Sequence, residues 1–268
     1  QPKEMLPLVD KPVIQYVVEE AIACGLHTLV LVTGRGKQAI ENHFDLACEL
    51  EDTLRRRGKT DDLTLVRELS HQAHFAYVRQ GEPLGLGHAV LCAEPLVGHE
   101  PFALLLGDDV FDASETSLGA LLAAHQTTGK SVVGVQCVAH DHTSRYGIVA
   151  APRHVSEAWW DVTSIVEKPH PDVAPSTWAV VGRYILTPRV FEHLHAIEPG
   201  VGGEYQLTDA LARLADEGEL VAAPIQAQRF DTGNKLDYLK ANIAFALKRP
   251  DLAEDLRAYL AELVTGRP

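Results

Sequence analysis

Two aspartates, each set just beyond an apolar run, are the residues of this sequence best suited to hold a divalent metal. Asp108 follows Phe102 to Leu106 and Gly107, whereas Asp231 follows Phe230 and opens the turn Thr232-Gly233. Ligands of an open α/β sheet bind beyond the carboxyl ends of its strands, where a carboxylate presents hard oxygen to Mg2+. The same residues also suit turns and helix caps, because a short carboxylate bonds nearby backbone N–H groups. Singly, neither aspartate decides between the two.

Three other groups carry polar chemistry. Gln80 precedes a loop with glycines at 81, 85 and 87 that leads into a helix beginning near Gly87. Glycines let a ligand approach the backbone, and the first N–H groups of a helix are free to meet a base or an anion. The Gln80 carboxamide has a donor and an acceptor, which match the N3–H and O4 edge of uracil or thymine as well as they match water. The loop is neither GxGxxG nor GxxxxGK[ST], which disfavours a dinucleotide fingerprint and a P-loop. Glu167-Lys168-Pro169 follows a second apolar run. Pro169 is expected to hold the strand exit extended, with Glu167 accepting sugar hydroxyls and Lys168 meeting phosphate as a point charge. The alternative is an exposed ion pair of little energetic weight. Gly202 to Asp209, which includes Glu204, is a loop feeding a helix. No Ser/His/Asp set and no HExxH is visible, and the 13 histidines are scattered.

The elements that must position these groups alternate β and α. Val13, Ile14, Val17, Val18, Ala21 and Ile22 form one helical stripe ended by Gly25, and His27 to Thr33 reads as a short buried strand. One charged amphipathic helix is expected from Gly36 to about Arg57, an irregular stretch over 58–72, and a strand over Phe75 to Val78. Phe102 to Leu106 reads as a fully buried strand. A helix (Ser117 to His125) and a strand (Val132 to Val138) come next. The alternation then breaks into three β-like runs, Tyr146 to Ala151, Val162 to Val166 and Ala179 to Leu186, which predicts antiparallel additions at one side. Helices over Pro188 to Ile197 and Leu207 to Ala215, a strand over Leu220 to Ala227, and nearly continuous helix from Asn234 complete the chain.

The 268 residues suffice for one large α/β domain, and 46% apolar with 23% charged content is ordinary for a globular protein. No apolar run approaches the ~20 residues that cross a bilayer, so the expectation is a cytoplasmic protein with no membrane partner. The four cysteines form no CxxC pair, which argues against a zinc site and a disulfide framework. A net charge of −13 argues against nucleic acid as a partner. A polyanionic small molecule then needs local lysines and a metal, because the average field repels it.

Together these groups are equipment for nucleotidyl transfer, and the sequence resembles the bacterial UTP–glucose-1-phosphate uridylyltransferases of the sugar nucleotidyltransferase superfamily. The resemblance spans the chain through PKEMLPLVDKPVIQYVVEEA, IENHFD, VRQGEPLGLGHAVLCAEPLVG, LLGDD, VEKP, DVAPS, VGRYIL, GGEYQLTDA and FDTGNKLDY. It implies a Rossmann-like mixed, mostly parallel sheet flanked by helices, with antiparallel additions and a C-terminal helical segment. Within one domain, residues 1–138 would form the nucleotide-binding part, 139–233 the sugar-binding part and 234–268 the C-terminal helices. By position, Lys3 resembles the active-site lysine that contacts the phosphates. Gln80 and the backbone at Gly85, with Gly87 in the same loop, resemble the nucleotide contacts. Asp108 and Asp231 resemble the Mg2+ carboxylates. Gly147, Glu167, Val181 and Glu204 resemble the glucose contacts, while Lys168 and Lys235 would hold phosphate.

The resemblance also implies the reaction of UTP with glucose 1-phosphate to UDP-glucose and pyrophosphate, in a homo-oligomer. Two alternatives stay open: a thymidylyltransferase for the same sugar phosphate, and a catalytically weak homologue that binds nucleotide sugar and regulates a partner. The family has a strand and a glycine-rich loop of the form GxGTRxLPxT, with an essential arginine, ahead of PKEMLP. The sequence given starts after both, so either that segment lies outside it or the chain is shortened.

Overall fold

A computed structural model describes residues 2–112, 117–150 and 158–266. Pro7–Leu8 (β1) and Lys11–Pro12 (β2) pair antiparallel ahead of α1 (Val13–Ala23). Next come β3 (Thr28–Thr33), α2 (Gln38–Phe44), α3 (Cys48–Arg56), α4 (Thr60–Gln72), β4 (His74–Arg79) and α5 (Leu86–Val97). The middle of the chain forms β5 (Phe102–Leu105), β6 (Asp109–Phe111), α6 (Ser117–Thr128), β7 (Ser131–Cys137), β8 (Gly147–Val149), β9 (Trp160–Asp161), β10 (Ile165–Glu167) and β11 (Trp178–Leu186). After them come α7 (Arg189–Ala196), α8 (Leu207–Asp216), β12 (Leu220–Pro224), β13 (Arg229–Asp231), α9 (Lys235–Ala246) and α10 (Ala253–Thr265). The expected strand end at Ala151, together with Gln1 and residues 267–268, lies outside the described residues.

The largest sheet has the order β10-β8-β11-β7-β12-β9. β7 follows one edge of β11, while β8 and β5 share the other, at Trp178–Ala179 and Arg183–Leu186. Side chains alternate between the faces with the strand period of two. Val133, Val135, Tyr184, Leu186, Leu220 and Ala222 face the layer of α5, α7 and α8, whereas Val132, Ile185, Val221 and Ala223 face α6. Leu207, Ala210, Leu211 and Leu214 recur at i, i+3, i+4 and i+7, which turns one stripe of α8 onto the sheet. Each such leucine, fully buried, stabilises the layer by about 1.5–3 kcal/mol.

The sheet is mixed and flanked by helices, as expected, with parallel pairing at β7–β12 and β3–β4 and antiparallel pairing in the other described ladders. The share of parallel pairs is smaller than the βα alternation suggests, because β8, β9, β10 and β11, added past residue 139, all pair antiparallel with their neighbours. Phe102–Leu105 differs from expectation in being half-buried at every residue, while its antiparallel pairing with β11 is the kind of addition expected of Ala179 to Leu186. Its other edge borders an apolar cleft of about 450 Å3 that β3, α1 and α5 also line. Periodicity cannot report this, since an apolar run looks the same beside a cleft as inside a core.

Two helical boundaries also need correction. The expected helix from Gly36 to Arg57 is two helices, broken where Asp45 is extended at ψ 159°. Residues 58–72, expected to be irregular, contain α4, whose sequence has no glycine or proline. Arg67 Nε donates to Glu51 Oε2 at 2.7 Å and ties α4 to α3, a tertiary bond that polar composition does not announce.

Candidate active site

The ladder between β6 and β13 builds the centre of the site. Phe230 pairs with Val110 and Asp231 with Asp109, which sets Asp231 beside the end of the segment carrying Asp108. Thr232 locks the junction by donating its backbone N–H (3.0 Å) and its hydroxyl (2.7 Å) to the Asp108 carbonyl. Lys3, from a single 3-10 turn at Lys3–Met5, donates to Asp108 Oδ2. A Cβ placed on Gly233 would lie 3.0 Å from Asp231 Oδ1, 3.7 Å from Asp108 Oδ2 and 3.8 Å from Lys3 Nζ. Three residues distant in sequence therefore converge on one spot. Burial disfavours the Lys3 ammonium, but its bond to Asp108 and the charges of Asp108, Glu4 and Asp231 outweigh this and raise its pKa.

Asp231 also accepts from the Gly233 N–H at 2.9 Å, so it makes the Asx turn considered from sequence while its carboxylate faces Asp108. Among the described residues no three His, Cys, Asp or Glu side chains gather as metal ligands. Two aspartates suit Mg2+ nonetheless, because that ion keeps several waters and shares one or two carboxylates with substrate phosphates.

Behind these carboxylates lie charges that the sequence reading passed over. Asp109 is 4% exposed, accepts from Arg229 Nε (2.8 Å) and forms an ion pair with its Nη2 (2.6 Å). Arg229 Nη1 donates to the Tyr146 hydroxyl at 3.2 Å, with the guanidinium 5.2 Å from the centre of that ring. Burial opposes the Arg229 charge, but Asp109 and Tyr146 outweigh it and raise its pKa. Arg183, fully buried in β11, donates to Glu20 Oε2 at 2.6 Å and to the carbonyls of Gly182 and Asp109, each at 2.9 Å. One signal could have exposed Arg183: a charged residue in the apolar run Val180 to Leu186. Burial without a partner would be prohibitive there, so a buried counter-ion was implied.

The expected sugar contacts form a second group. Gly147 faces Glu167 across the β8–β10 ladder, and a Cβ at Gly147 would sit 3.3 Å from Glu167 Oε2. Glu167 accepts from the Thr208 hydroxyl at 2.5 Å and pairs with Lys168 Nζ at 3.2 Å. Lys168 is not extended, as Pro169 led us to expect. Its φ is 46°, a left-handed position rare for a side-chain-bearing residue, held by its N–H bond to the Tyr146 carbonyl at 2.9 Å. Val181 points its side chain into the apolar layer with Leu118 and Ile185, so what it can show a sugar is backbone. That backbone lies where the β11–β7 register shifts between Val180 and Tyr184.

The glycine loop forms a third group with Glu204. Gln80 Nε2 donates to the Gly85 carbonyl at 3.1 Å and to His88 Nδ1 at 3.0 Å, which orients its amide. Gly85 has φ 93°, and a Cβ there or at Gly87 would meet the Tyr205 carbonyl at 2.8 Å. Both glycines thus admit the 204–205 backbone. The Gly87 N–H, expected to be free for a ligand, is taken by the Tyr205 carbonyl at 2.8 Å. Glu204 is exposed, and its Oε2 accepts from Gln206 Nε2 at 3.0 Å. Lys235 begins α9 just beyond Asp231, with its side chain exposed.

Residues 1–247 match the family model described as nucleotidyl transferase. The chain is 45% identical over 267 residues to the UTP–glucose-1-phosphate uridylyltransferase YngB of Bacillus subtilis, covering 98% of this chain and 89% of that protein. It is similar to the UTP-bound UGPase from Acinetobacter baumannii at 38% identity and TM-score 0.88, covering 98% of this chain and 92% of that one. A UDP-glucose pyrophosphorylase complexed with UDP-glucose matches at 39% identity and TM-score 0.82, covering 92% of this chain and 91% of that one. With nearly the whole chain matched in sequence and in fold, and with lysine and carboxylates gathered at the ladder end, this protein belongs to the nucleotidyl transferase family, among homologues of the bacterial UTP–glucose-1-phosphate uridylyltransferases.

Proposed function

We propose that this chain transfers the uridylyl group of UTP to glucose 1-phosphate, giving UDP-glucose and pyrophosphate. The observation that carries the reading is the convergence of Lys3, Asp108 and Asp231 around Gly233. A phosphate oxygen of glucose 1-phosphate attacks the α-phosphorus of UTP. The new P–O bond forms as the bond to the α–β bridging oxygen breaks, and pyrophosphate leaves with that electron pair. No protein base is needed, since a phosphate monoester with a second pKa of ~6 is already mostly dianionic at neutral pH.

The barrier is the meeting of two anions, so the protein contributes positioning and charge. Lys3, Lys168 and Lys235 neutralise phosphate oxygens. Gln80 and the backbone at Gly85 hold the uracil, and Gly147, Glu167, Val181 and Glu204 hold the glucose. Asp108 and Asp231 are the residues that hold Mg2+, which when bound supplies further neutralisation of phosphate charge. Residues 1–138 serve the nucleotide and 139–233 the sugar. No helix among the described residues is long and apolar enough to cross a membrane. The reading places the enzyme in the cytoplasm as a homo-oligomer. Exposed Leu236, Leu239 and Ile243 of α9 and Tyr259 and Leu263 of α10 support self-association.

The test is pyrophosphate release by the intact protein from UTP and glucose 1-phosphate, with and without Mg2+, and with dTTP in place of UTP. Metal-dependent release that favours UTP is expected. Absence of release, or a preference for dTTP, overturns the reading.

A further inference from the structure

One chain of part-buried polar contacts joins the carboxylate ladder to the strand that carries the proposed sugar contacts. Asp109 stands opposite Asp231, accepts from Arg229 Nε at 2.8 Å and pairs with Arg229 Nη2 at 2.6 Å. Arg229 in turn reaches the Tyr146 hydroxyl at 3.2 Å and lies over its ring. Tyr146 is the residue before Gly147, and its carbonyl accepts the N–H of Lys168 at 2.9 Å. The Asp109 carboxylate also packs on Gly182, where an added Cβ would overlap its Oδ2, and Gly182 follows Val181. No other described strand pairs with β6 or β13, so no ladder joins this two-stranded unit directly to β8 or β10.

We infer that Arg229, clamped between Asp109 and Tyr146, is the positioning residue that sets the sugar-phosphate contacts Gly147 and Lys168 at a fixed separation from Asp108 and Asp231. The planar guanidinium suits the task. It sets its Nε–H on one carboxylate oxygen, holds Nη2 against that oxygen as an ion pair, and gives Nη1, on the other side, to the phenol, a geometry that a lysine ammonium on a flexible stem does not reproduce. The buried charge pair keeps the link stiff, because losing either partner would strand an ion in the interior. The Tyr146 end is the mild one to cut, since its ring and its backbone bond to Lys168 both survive removal of the hydroxyl.

The inference rests on the functional reading above, and the experiment separates the two. Tyr146→Phe and Arg229→Lys are compared with wild type for the KM of each substrate, for UDP-glucose affinity by calorimetry without metal, and for Tm. Tyr146→Phe is expected to raise the KM for glucose 1-phosphate on the order of tenfold, the scale of one bond to a charged group. It should weaken UDP-glucose binding in parallel, leave the KM for UTP nearly unchanged and lower the Tm only by the loss of that one hydrogen bond. Arg229→Lys should show the same split, and the double variant should be no worse on it than Arg229→Lys alone. Equal KM rises for both substrates with a matching fall in Tm, or no change in Tyr146→Phe, overturn the positioning role while an active wild type keeps the functional reading. A urea-unfolding cycle on Asp109→Asn and Tyr146→Phe needs no substrate. It should show coupling between the two sites, and additive effects overturn the link even if the wild type proves inert toward both substrates.

Discussion

Asp231 faces Asp109 across the β6–β13 ladder, and Asp109 is the residue after Asp108. Asp109, the first residue of β6, turns into the protein to meet Arg229, while Asp108, in the turn just before the strand, meets Lys3 with its side chain 25% exposed. One short ladder thus supplies both an internal anchor and the two carboxylates proposed to hold metal.

Replacing Asp108 by Asn keeps the size of the side chain and removes its charge. Activity is expected to fall by on the order of 10²-fold or more, as when one key electrostatic group is lost. Steady-state rates of pyrophosphate release measure this, and activity kept within threefold speaks against the metal assignment.

Gly87→Ala puts a methyl 2.8 Å from the Tyr205 carbonyl and 2.9 Å from Leu194 Cδ2. The carbonyl is backbone and cannot swing aside. A loss of about 1–3 kcal/mol in urea unfolding is expected from overpacking. The shift of the 204–205 segment should also raise KM, and an unchanged unfolding midpoint would mean that the segment relaxes freely.

Arg183→Met takes the guanidinium away from the Glu20 carboxylate, which keeps only the Ser117 hydroxyl, from the Gly182 carbonyl, which keeps the Leu106 N–H, and from the Asp109 carbonyl. Breaking one partner of a buried pair costs about 3–5 kcal/mol. The double change with Glu20→Leu should recover part of that loss. A double variant less stable than Arg183→Met would show that the carboxylate was not the source of the penalty.

A pH-dependent contribution sits on the α7–α8 side. Glu217 accepts from Arg189 Nε at 2.6 Å, Arg189 Nη2 at 2.9 Å and His193 at 3.1 Å. The Arg189 hydrogen bond, helped by His193, lowers its carboxyl from 4.5 to about 2. A depressed carboxyl stabilises the fold above its unfolded value and ceases to do so as pH falls through the folded one. The Tm difference between wild type and Glu217→Gln should therefore be steady near neutrality and close between pH 4.5 and about 2. A gap that stays constant over that range removes Glu217 from the acid response.

Much of this protein was determined by local sequence alone. The stripe Val13 to Ile22, the glycine stops and the α8 repeat depend on neighbours three and four residues apart, and they form helices as their spacing requires. Asp108 and Asp231 stood out as candidate ligands by residue type and by their place after apolar runs, whereas Lys3 was singled out only by the family resemblance. Tertiary structure alone decided how such residues meet. Gly87 and Tyr205, Asp109 and Arg229, and Glu20 and Arg183 are each more than 100 positions apart, and their bonds exist because strands and helices from distant segments pack together. The same physics explains Lys168, whose φ of 46° opposes the local rule for a residue before proline. A hydrogen bond to Tyr146 holds it there, and Tyr146 is itself held by Arg229, which no neighbouring residue in the sequence reveals.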